Sequence, residues 1–459
     1  MLILTSSQNF SWFSMTEIIP EIEELWKEIA KENKYEVVRI NVDEVSVKEL
    51  VSKGIAAEFI LVTCFNLKIS WALKILRNKV EVSVPLKFYV HGMATVGLWP
   101  LAFWEWDKFW RRDDSFLVSC KRDLKILKDD FPSINVELLP FTKKGTNNES
   151  SHNLKHKRHS FYYVGRISEQ KNVHSLIFAF SKHLETFPNS VLTLFGKVDT
   201  LGSPNMGIET TRYGDYLNEL LSKLGLVDHV DFKGFVPREK IKSLIPEGKK
   251  IFISTSLHSD ENFGMAALEA LDLGHIAILS NWGGFADFKE QYTTQTRLID
   301  VESGDFGPYI NMSKLVKEMN NATLLEEEPD GSKYYLRSQV AKEYKLDFFE
   351  SSSKLCDFSL SSKYVKLRSS YSKDIQSSKI FANYSDENYH YFSERYAFSS
   401  AVSTLGARKE LLPWVMIDKE KVVVNDPHKG RILPSIEWES SLENYQKLLH
   451  LGYVFSDKN

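Results

Sequence analysis

Short apolar segments alternate with longer amphipathic stretches over the first 140 or so residues of the chain. Thr16 to Glu32 has apolar positions at helical spacing and a polar opposite face, which is typical of a surface helix. Short apolar runs at the spacing of βαβ units predict β-strands that form a parallel sheet. These runs are Leu2 to Thr5, Glu36 to Ile40, Phe59 to Thr63, Leu86 to Val90, Phe116 to Ser119 and Glu137 to Leu139.

A polar run interrupts this pattern, and the alternation then resumes more regularly. Thr142 to His159 is nearly free of large apolar residues, which is typical of a linker. Gly274 follows the predicted helix Gly264 to Leu273, as expected of a residue that tolerates a left-handed turn. The predicted strands of the second half are Ser160 to Val164, Val191 to Phe195, Val230 to Lys233, Ile251 to Ser254 and Ile276 to Leu279.

These patterns predict an α/β protein with two Rossmann-like domains, each built on a doubly wound parallel sheet. The first domain is expected at residues 1–141, the linker at 142–159 and the second domain at 160–330. Residues 331–459 follow no clear pattern and are interpreted as an irregular extension with helices that packs back on the first domain. Because such sheets bind ligands at the carboxyl ends of their strands, the loops that follow strands are the candidate sites.

Composition narrows the classes of partner and the compartment. At 459 residues with a net charge of −3, the chain exceeds one ordinary domain and gives no indication of nucleic-acid binding. Cys64, Cys120 and Cys356 lack the spacing of a metal or redox motif, which favours a reducing cytoplasm. The N-terminus lacks the pattern of a secretory signal, and no apolar run is long enough to span a membrane.

Two loops after predicted strands carry charges that suit a phosphorylated ligand. Arg166 and Lys171 follow a strand and precede a helix, where two cations and the helix dipole favour a diphosphate. The alternative is that both are solvated surface charges. Glu261 precedes a helix that begins Gly264-Met265, and Glu269 lies within its apolar run. An unpaired buried carboxylate there would be costly, which indicates a ligand or a partner for Glu269.

A third loop, Asn281 to Asp287, contains two consecutive glycines, Gly283 and Gly284. Glycine permits close approach of the backbone, so we interpret the loop as a point of contact with substrate. A simple tight turn is the alternative.

Together the three loops resemble the donor-binding half of the GT-B glycosyltransferases, and glycosyltransferase family 4 in particular. The resemblance covers residues 160–292 and includes the Phe195-Gly196 and Gly234-Phe235-Val236 segments. It implies two domains facing each other across a cleft, with Arg166 and Lys171 on the donor diphosphate and Glu269 on the ribose. The implied donor-binding residues are Gly165, Arg166, Lys171, Phe235, Val236, Glu261, Asn262, Phe263, Gly264, Met265 and Glu269. Asp287 departs from the family, which usually has a glutamate there.

In similar enzymes a histidine at the position of His91 faces the sugar, so His91, Arg166, Lys171 and Glu261 are the implied catalytic residues. Gly92, Trp99 and Trp104 are the further candidates on the acceptor side, although aromatic residues at helical spacing are more often core. The first domain departs from the family after its first strand, where Ser6 to Phe10 replaces a glycine-rich loop.

The resemblance therefore implies a retaining transferase that moves a sugar from a nucleotide-diphosphate sugar to a glycan, lipid-linked or protein acceptor. Arg166, Lys171 and the helix N-terminus can supply the charge that a metal would otherwise supply, so no metal and no other cofactor is expected. The alternatives are a nucleotide-sugar epimerase or a polysaccharide synthase of the same fold, and a non-catalytic sugar-nucleotide sensor or scaffold. A cytoplasmic location is expected, with peripheral contact at the inner face of a membrane left open.

Overall fold

The computed structural model divides the chain into two compact units. Unit 1 comprises residues 1–147 and 333–368, and unit 2 comprises residues 148–332 and 369–459. The structure describes residues 1–6, 13–64, 67–79, 82–91, 110–143, 159–168, 171–198, 213–258, 261–304, 307–325, 334–346, 414–418, 421–426 and 431–432.

Unit 1 is built on a six-stranded parallel sheet with strand order β2-β1-β3-β4-β5-β6. Strand β2 is added on one side of β1, and β3 to β6 are added on the other side, so the strand order reverses between β1 and β3 as in a doubly wound fold. Both faces are covered, and nearly every strand residue of β1, β3, β4 and β5 is buried. The strands are β1 (Leu2–Thr5), β2 (Val38–Asn41), β3 (Ile60–Val62), β4 (Leu86–Tyr89), β5 (Ser115–Val118) and β6 (Asn135–Leu138).

Among the described residues, the first part of unit 1 contains four helices and one π-helical segment. They are α1 (Phe13–Glu32), α2 (Val47–Ile55), α3 (Leu67–Lys74), the π-helix Ile75–Lys79 and α4 (Lys121–Asp130). Trp110 is buried and lies 4.4 Å from the Phe116 ring between centroids. Trp110 thus belongs to the hydrophobic core of unit 1, while Trp99 and Trp104 lie outside the described residues.

The chain returns to unit 1 after residue 333. Helix α11 (Arg337–Glu343) packs against α1, and Arg337 is 2.5 Å from Glu21 on that helix. Beyond it, the Tyr344 ring meets the buried Trp26 ring edge-on at 5.5 Å. This segment therefore joins the hydrophobic packing of unit 1.

Unit 2 is built on a second six-stranded parallel sheet, with order β12-β11-β10-β7-β8-β9. Counted from the first strand of the unit, this is the 3-2-1-4-5-6 order of the Rossmann fold, with its switch point between β7 and β10. The predicted fold class is confirmed: both units are α/β with parallel sheets. The strands are β7 (His159–Val164), β8 (Val191–Phe195), β9 (Val230–Gly234), β10 (Lys249–Ser254), β11 (Ile276–Ser280) and β12 (Thr296–Ile299).

The helices of unit 2 lie between these strands and after them. They are α5 (Val173–Leu184), α6 (Tyr213–Lys223), α7 (Arg238–Leu244), α8 (Met265–Asp272), the 3-10 helix Gly283–Asp287, α9 (Phe288–Gln291) and α10 (Met312–Leu324). Gly274 has φ +82° after α8, as the sequence predicts.

Sequence patterning gave no sign of several elements. An antiparallel pair, β13 (Val301–Gly304) and β14 (Gly307–Ile310), follows β12, and a three-stranded antiparallel sheet lies in the C-terminal extension. The latter comprises β15 (Trp414–Asp418), β16 (Lys421–Asp426) and β17 (Arg431–Ile432). In the described part of the chain, no helix is long and apolar enough to cross a membrane.

Candidate active site

The switch point of unit 2 brings together two of the loops that the sequence analysis singled out. Strands β7 and β10 are neighbours in the sheet, so the segments that follow them leave the same edge side by side. Lys171 lies after β7 and Glu261 lies after β10. Their side chains meet across the switch point, which is where doubly wound sheets bind ligands.

Lys171 and Glu261 form a tight ion pair. The Lys171 Nζ lies 2.6 Å from Oε2 of Glu261, and the two side chains are 14% and 12% exposed. The Ser256 hydroxyl donates a second hydrogen bond of 2.6 Å to the same oxygen. A carboxylate held by two donors on one oxygen keeps the lone pairs of the other oxygen for a further contact.

The charge state of Glu261 follows from these contacts. Burial raises the pKa of its carboxyl group, but the charge of Lys171, hydrogen bonds from Lys171 and Ser256 and the charge of Arg166 outweigh burial and leave the pKa below its ordinary value. Glu261 is therefore an ionised, oriented carboxylate at neutral pH.

The N-terminus of α8 lies directly after this carboxylate. Gly264 has φ +95°, and a Cβ atom there would lie 2.3 Å from the Phe285 ring, so the turn requires glycine. Phe263 is buried, with its ring edge-on to the Phe288 ring at 5.4 Å, and Asn262 is buried too. Met265 begins the helix and is half-buried. The first N–H groups of a helix lack intrahelical partners and favour an anion.

The double glycine of the third loop contacts protein rather than open space. A Cβ atom on Gly284 would lie 2.3 Å from the carbonyl oxygen of Asn262. The Gly284 N–H donates a 2.8 Å hydrogen bond to the Glu261 carbonyl oxygen. The close approach inferred from the sequence is therefore made to the backbone that carries Glu261, and we correct the interpretation accordingly.

The structure supplies one of the two partners that the sequence left open for Glu269. Its side chain is 28% exposed rather than buried, and its Oε1 lies 2.7 Å from Nη2 of Arg238. Residues at every third or fourth position of a helix share a face, and Glu269 falls at the edge of the apolar face of α8. The chain itself thus supplies its partner.

The other residues implied in donor binding follow strands β7 and β9. Phe235 is 57% exposed and follows Gly234, whose φ of +63° turns the chain out of β9; Val236 is half-buried. Gly165 leaves no room for a side chain, since a Cβ atom would lie 2.7 Å from the Tyr163 hydroxyl. The same hydroxyl donates to the Arg166 carbonyl oxygen at 2.7 Å and fixes the backbone of that residue.

In unit 1, His91 follows β4, and its ring lies against the rings of Tyr89 and Phe141, each with its centroid 6.0 Å away. Its Nε2 lies 2.5 Å from the Thr63 carbonyl oxygen, and its buried Nδ1 has no hydrogen-bond partner within the described residues. Burial lowers the pKa of His91 to about 4, so the imidazole is neutral at pH 7. Gly92, Trp99 and Trp104 lie outside the described residues.

The structure adds residues that the sequence analysis missed. Arg238, Thr255 and Ser256 contact the candidate residues or their backbone, at Glu269, Asn172 and Glu261 respectively. Arg238 starts a helix two residues after Val236, a position from which it could have been suspected. Hydroxyl residues at the end of a strand carry no comparable signal.

The comparison with protein families gives a match that lies almost entirely in unit 2. Residues 145–304 match the family described as glycosyl transferases group 1. The matched segment contains the ion pair, α8 and the glycine loop. An uncharacterized glycosyltransferase of Methanocaldococcus jannaschii is 32% identical over 125 residues, which are 27% of this chain and 28% of that protein. Mannosylfructose-phosphate synthase of Agrobacterium fabrum is 31% identical over 121 residues, 26% of this chain and 25% of that protein.

The chain thus covers about a quarter of the length of these curated relatives. Among solved structures, Anabaena HepE in complex with UDP and glucose aligns with 74% of this chain and 93% of its own, at 14% identity and a TM-score of 0.46.

Proposed function

We propose that the protein is a retaining, metal-independent glycosyltransferase that moves a sugar from a nucleotide-diphosphate sugar to a glycan, lipid-linked or protein acceptor. Unit 2 binds the donor at the switch point of its sheet. The match to glycosyl transferases group 1 over residues 145–304 supports the reaction class.

One observation carries the proposal. Lys171 and Glu261 pair at 2.6 Å at the carboxyl edge of the sheet, immediately before the N-terminus of α8. A cation, an oriented carboxylate and unpaired helix N–H groups at one switch point suit a ligand that carries both phosphate and hydroxyl groups.

Each group has a defined task in the proposed reaction. Arg166, Lys171 and the first N–H groups of α8 stabilise the negative charge that builds on the diphosphate as the bond to the sugar breaks. Glu261 accepts a hydrogen bond from a sugar hydroxyl through Oε1, because Oε2 is held by Lys171 and Ser256. Glu269 accepts from the ribose, and the exposed Phe235 ring lies against the base.

His91 is the proposed contribution of unit 1. A neutral imidazole that donates from Nε2 to the Thr63 carbonyl keeps Nδ1 as an acceptor for a hydroxyl group. It acts by orientation, since a ring with a pKa of about 4 carries no proton to donate from Nδ1 at neutral pH.

The test is a panel of uridine, guanosine and adenosine diphosphate sugars, each assayed for affinity and for slow release of the nucleotide by hydrolysis. A glycosyltransferase binds one of them saturably and releases nucleoside diphosphate. Saturable affinity without release indicates the scaffold, and a changed sugar with the nucleotide still attached indicates the epimerase.

Two substitutions test the residue assignments. Lys171→Ala and Glu269→Ala should each reduce turnover. The reduction should be about 100-fold for Lys171→Ala, because Lys171 neutralises charge in the transition state. Lys223→Ala is a matched control, since this exposed lysine pairs with Glu219 on α6. If both site variants turn over the donor as the parent does, the site assignment is wrong.

A further inference from the structure

We infer that Thr255 and Ser256, which directly follow β10, are positioning residues: Ser256 orients the Glu261 carboxylate and Thr255 orients the turn that carries Lys171. This inference rests on the proposed function and assigns to the donor site two residues that would otherwise be taken for core hydroxyls. Both are buried, with 1% and 0% of their surface exposed.

Ser256 has its hydrogen bonds arranged so that its proton points at Glu261. The hydroxyl oxygen accepts from the His258 N–H at 3.3 Å and donates to Oε2 of Glu261 at 2.6 Å. A serine hydroxyl has one proton, so acceptance from the backbone leaves the carboxylate as its target. Hydrogen bonds to ionised groups are the stronger ones, and this bond fixes one oxygen of Glu261.

Ser256 is itself held from the neighbouring strand. The Ser280 hydroxyl, at the end of β11, donates to the Ser256 carbonyl oxygen at 2.6 Å. The orientation of Glu261 is therefore set by two successive strand ends of the sheet and not by its own loop alone. Sites supported in this way from rigid elements hold their geometry better than sites held by loops.

Thr255 acts on the other partner of the ion pair. Its hydroxyl donates to the Asn172 carbonyl oxygen at 2.8 Å, and Asn172 has φ +55°. A residue other than glycine is strained in the left-handed region and persists there where neighbours hold it. Since Asn172 directly follows Lys171, the bond from Thr255 fixes the backbone from which the Lys171 side chain reaches Glu261.

Thr255 and Ser256 thus each hold one partner of the Lys171–Glu261 ion pair. Side chains of consecutive residues point to different sides of an extended chain. Thr255 consequently reaches the segment after β7, while Ser256 reaches the segment after β10. Together they hold cation and carboxylate at 2.6 Å in a site where a ligand must find both in place.

The first experiment compares Ser256→Ala with Ser160→Ala, a buried serine at the opposite end of β7 that donates only a 3.4 Å bond to the Glu247 carbonyl. Both variants are measured for thermal unfolding and for the pH dependence of kcat/KM of nucleotide release. Ser256→Ala should lower kcat/KM about tenfold, the effect of losing one hydrogen bond to a charged group.

The pH profile separates positioning from mere packing. Glu261 faces the charges of Lys171 and Arg166 and lies near the Tyr163 hydroxyl. Loss of the Ser256 donor removes a bond that favours the ionised form of Glu261, so the acidic limb of the profile should move to higher pH. Ser160→Ala should leave the limb unmoved. An unmoved limb in Ser256→Ala overturns the inference, and Ser256→Thr, which retains a hydroxyl, should restore part of the loss.

The second experiment uses Thr255→Val and Thr255→Ser. Valine has the shape of threonine without the donor, whereas serine keeps it. Valine should raise KM for the donor about tenfold, because the hydrogen bond that positions the turn carrying Lys171 is lost. Serine keeps that bond and should leave KM within about twofold. Equal effects of the two overturn the role of Thr255. If the parent protein neither binds nor hydrolyses any nucleotide sugar, the proposed function fails instead, which is a separate result.

Discussion

The two units use the same kind of sheet but place their charged groups differently. In unit 2, the Lys171–Glu261 pair lies at the carboxyl edge of the sheet and both side chains reach solvent. In unit 1, the ion pair of Arg77 with Asp114 lies at the amino ends of β4 and β5, with side chains 1% and 0% exposed. The carboxyl edge of that sheet carries His91, whose ring lies against those of Tyr89 and Phe141.

The two ion pairs differ in how many oxygens of the carboxylate accept hydrogen bonds from the protein. Asp114 accepts from Arg77 at 2.8 Å and from the Leu86 and Arg111 N–H groups at 2.7 Å, so both of its oxygens are in use. Glu261 receives both its bonds on Oε2. The distances within the two pairs are similar, and it is the uncommitted oxygen that indicates a binding site.

The largest effect is expected from breaking the buried ion pair of unit 1, which should lower the free energy of unfolding. Asp114→Asn removes the only charge that faces the buried Arg77 guanidinium at hydrogen-bond distance within the described residues. Removing one partner of a buried pair costs about 3–5 kcal/mol, because the other charge stays buried without compensation. The free energy of unfolding from urea titration should fall by that amount.

Asp129→Asn is the matched control for Asp114. Its pair with Lys125 is 3.5 Å long, and the two side chains are 57% and 72% exposed. Exposed pairs of this kind contribute about 0.3–0.5 kcal/mol. Equal destabilisation by the two substitutions would contradict the structural role of the Arg77–Asp114 pair.

In unit 2, Gly284→Ala should disturb the site through its backbone. The new Cβ atom would meet the Asn262 carbonyl oxygen, so the segment that carries Glu261 must shift. Overpacking of this kind costs about 1–3 kcal/mol, and donor affinity should fall in parallel. Gly225→Ala is the control: nothing lies within 4 Å of its Cβ position, and only the left-handed φ of +66° is strained. Loss of stability with unchanged donor affinity in Gly284→Ala would place the glycine loop outside the site.

A smaller effect is expected at the partly exposed pair of Arg238 and Glu269. Arg238→Ala should change the free energy of unfolding by less than about 1 kcal/mol, as for other solvent-exposed pairs. The KM for the donor should nevertheless rise about tenfold, since Glu269 loses the group that orients it for the ribose. Lys233→Ala, which breaks an exposed pair with Asp231, is the control. An unchanged KM would show that Arg238 is incidental to donor binding.

The sequence predicted the parallel sheets well, because buried strands between helices leave short apolar runs that are visible without a structure. Leu2–Thr5 and Val191–Phe195 have the predicted bounds, and most other predicted strands differ by one or two residues. The antiparallel strands β13 and β14 were missed, since Val301–Gly304 and Gly307–Ile310 contain Gly, Ser and Pro and are not apolar.

For the site, local motifs identified Lys171 and Glu261 but could not specify what holds them. Their meeting depends on the adjacency of β7 and β10, which lie 90 positions apart in the chain at this contact. Partners that come from elsewhere in the chain are set by tertiary packing. The sequence indicated a ligand or a partner for Glu269 but did not identify the partner, which is Arg238 on another helix.

Acidification should destabilise unit 1 through His91. Burial lowers the pKa of His91 from an ordinary 6.5 to about 4, so between these values the unfolded chain binds a proton at this residue that the folded protein does not. Stability contributed by the neutral ring is therefore complete above pH 6.5 and declines as the pH falls toward 4. His91→Gln keeps a donor for the Thr63 carbonyl and cannot titrate.

Urea titrations of the parent and of His91→Gln at pH 7, 5.5 and 4.5 would measure this contribution. The variant should lose less stability on acidification than the parent, with the difference at pH 7 as the baseline for the changed packing. Titration of other buried histidines, such as His174 and His275 in unit 2, is common to both proteins and cancels. If acidification affects both proteins equally, the native His91 ring is hydrated, and its selection as an orienting group for the sugar would lose its structural basis.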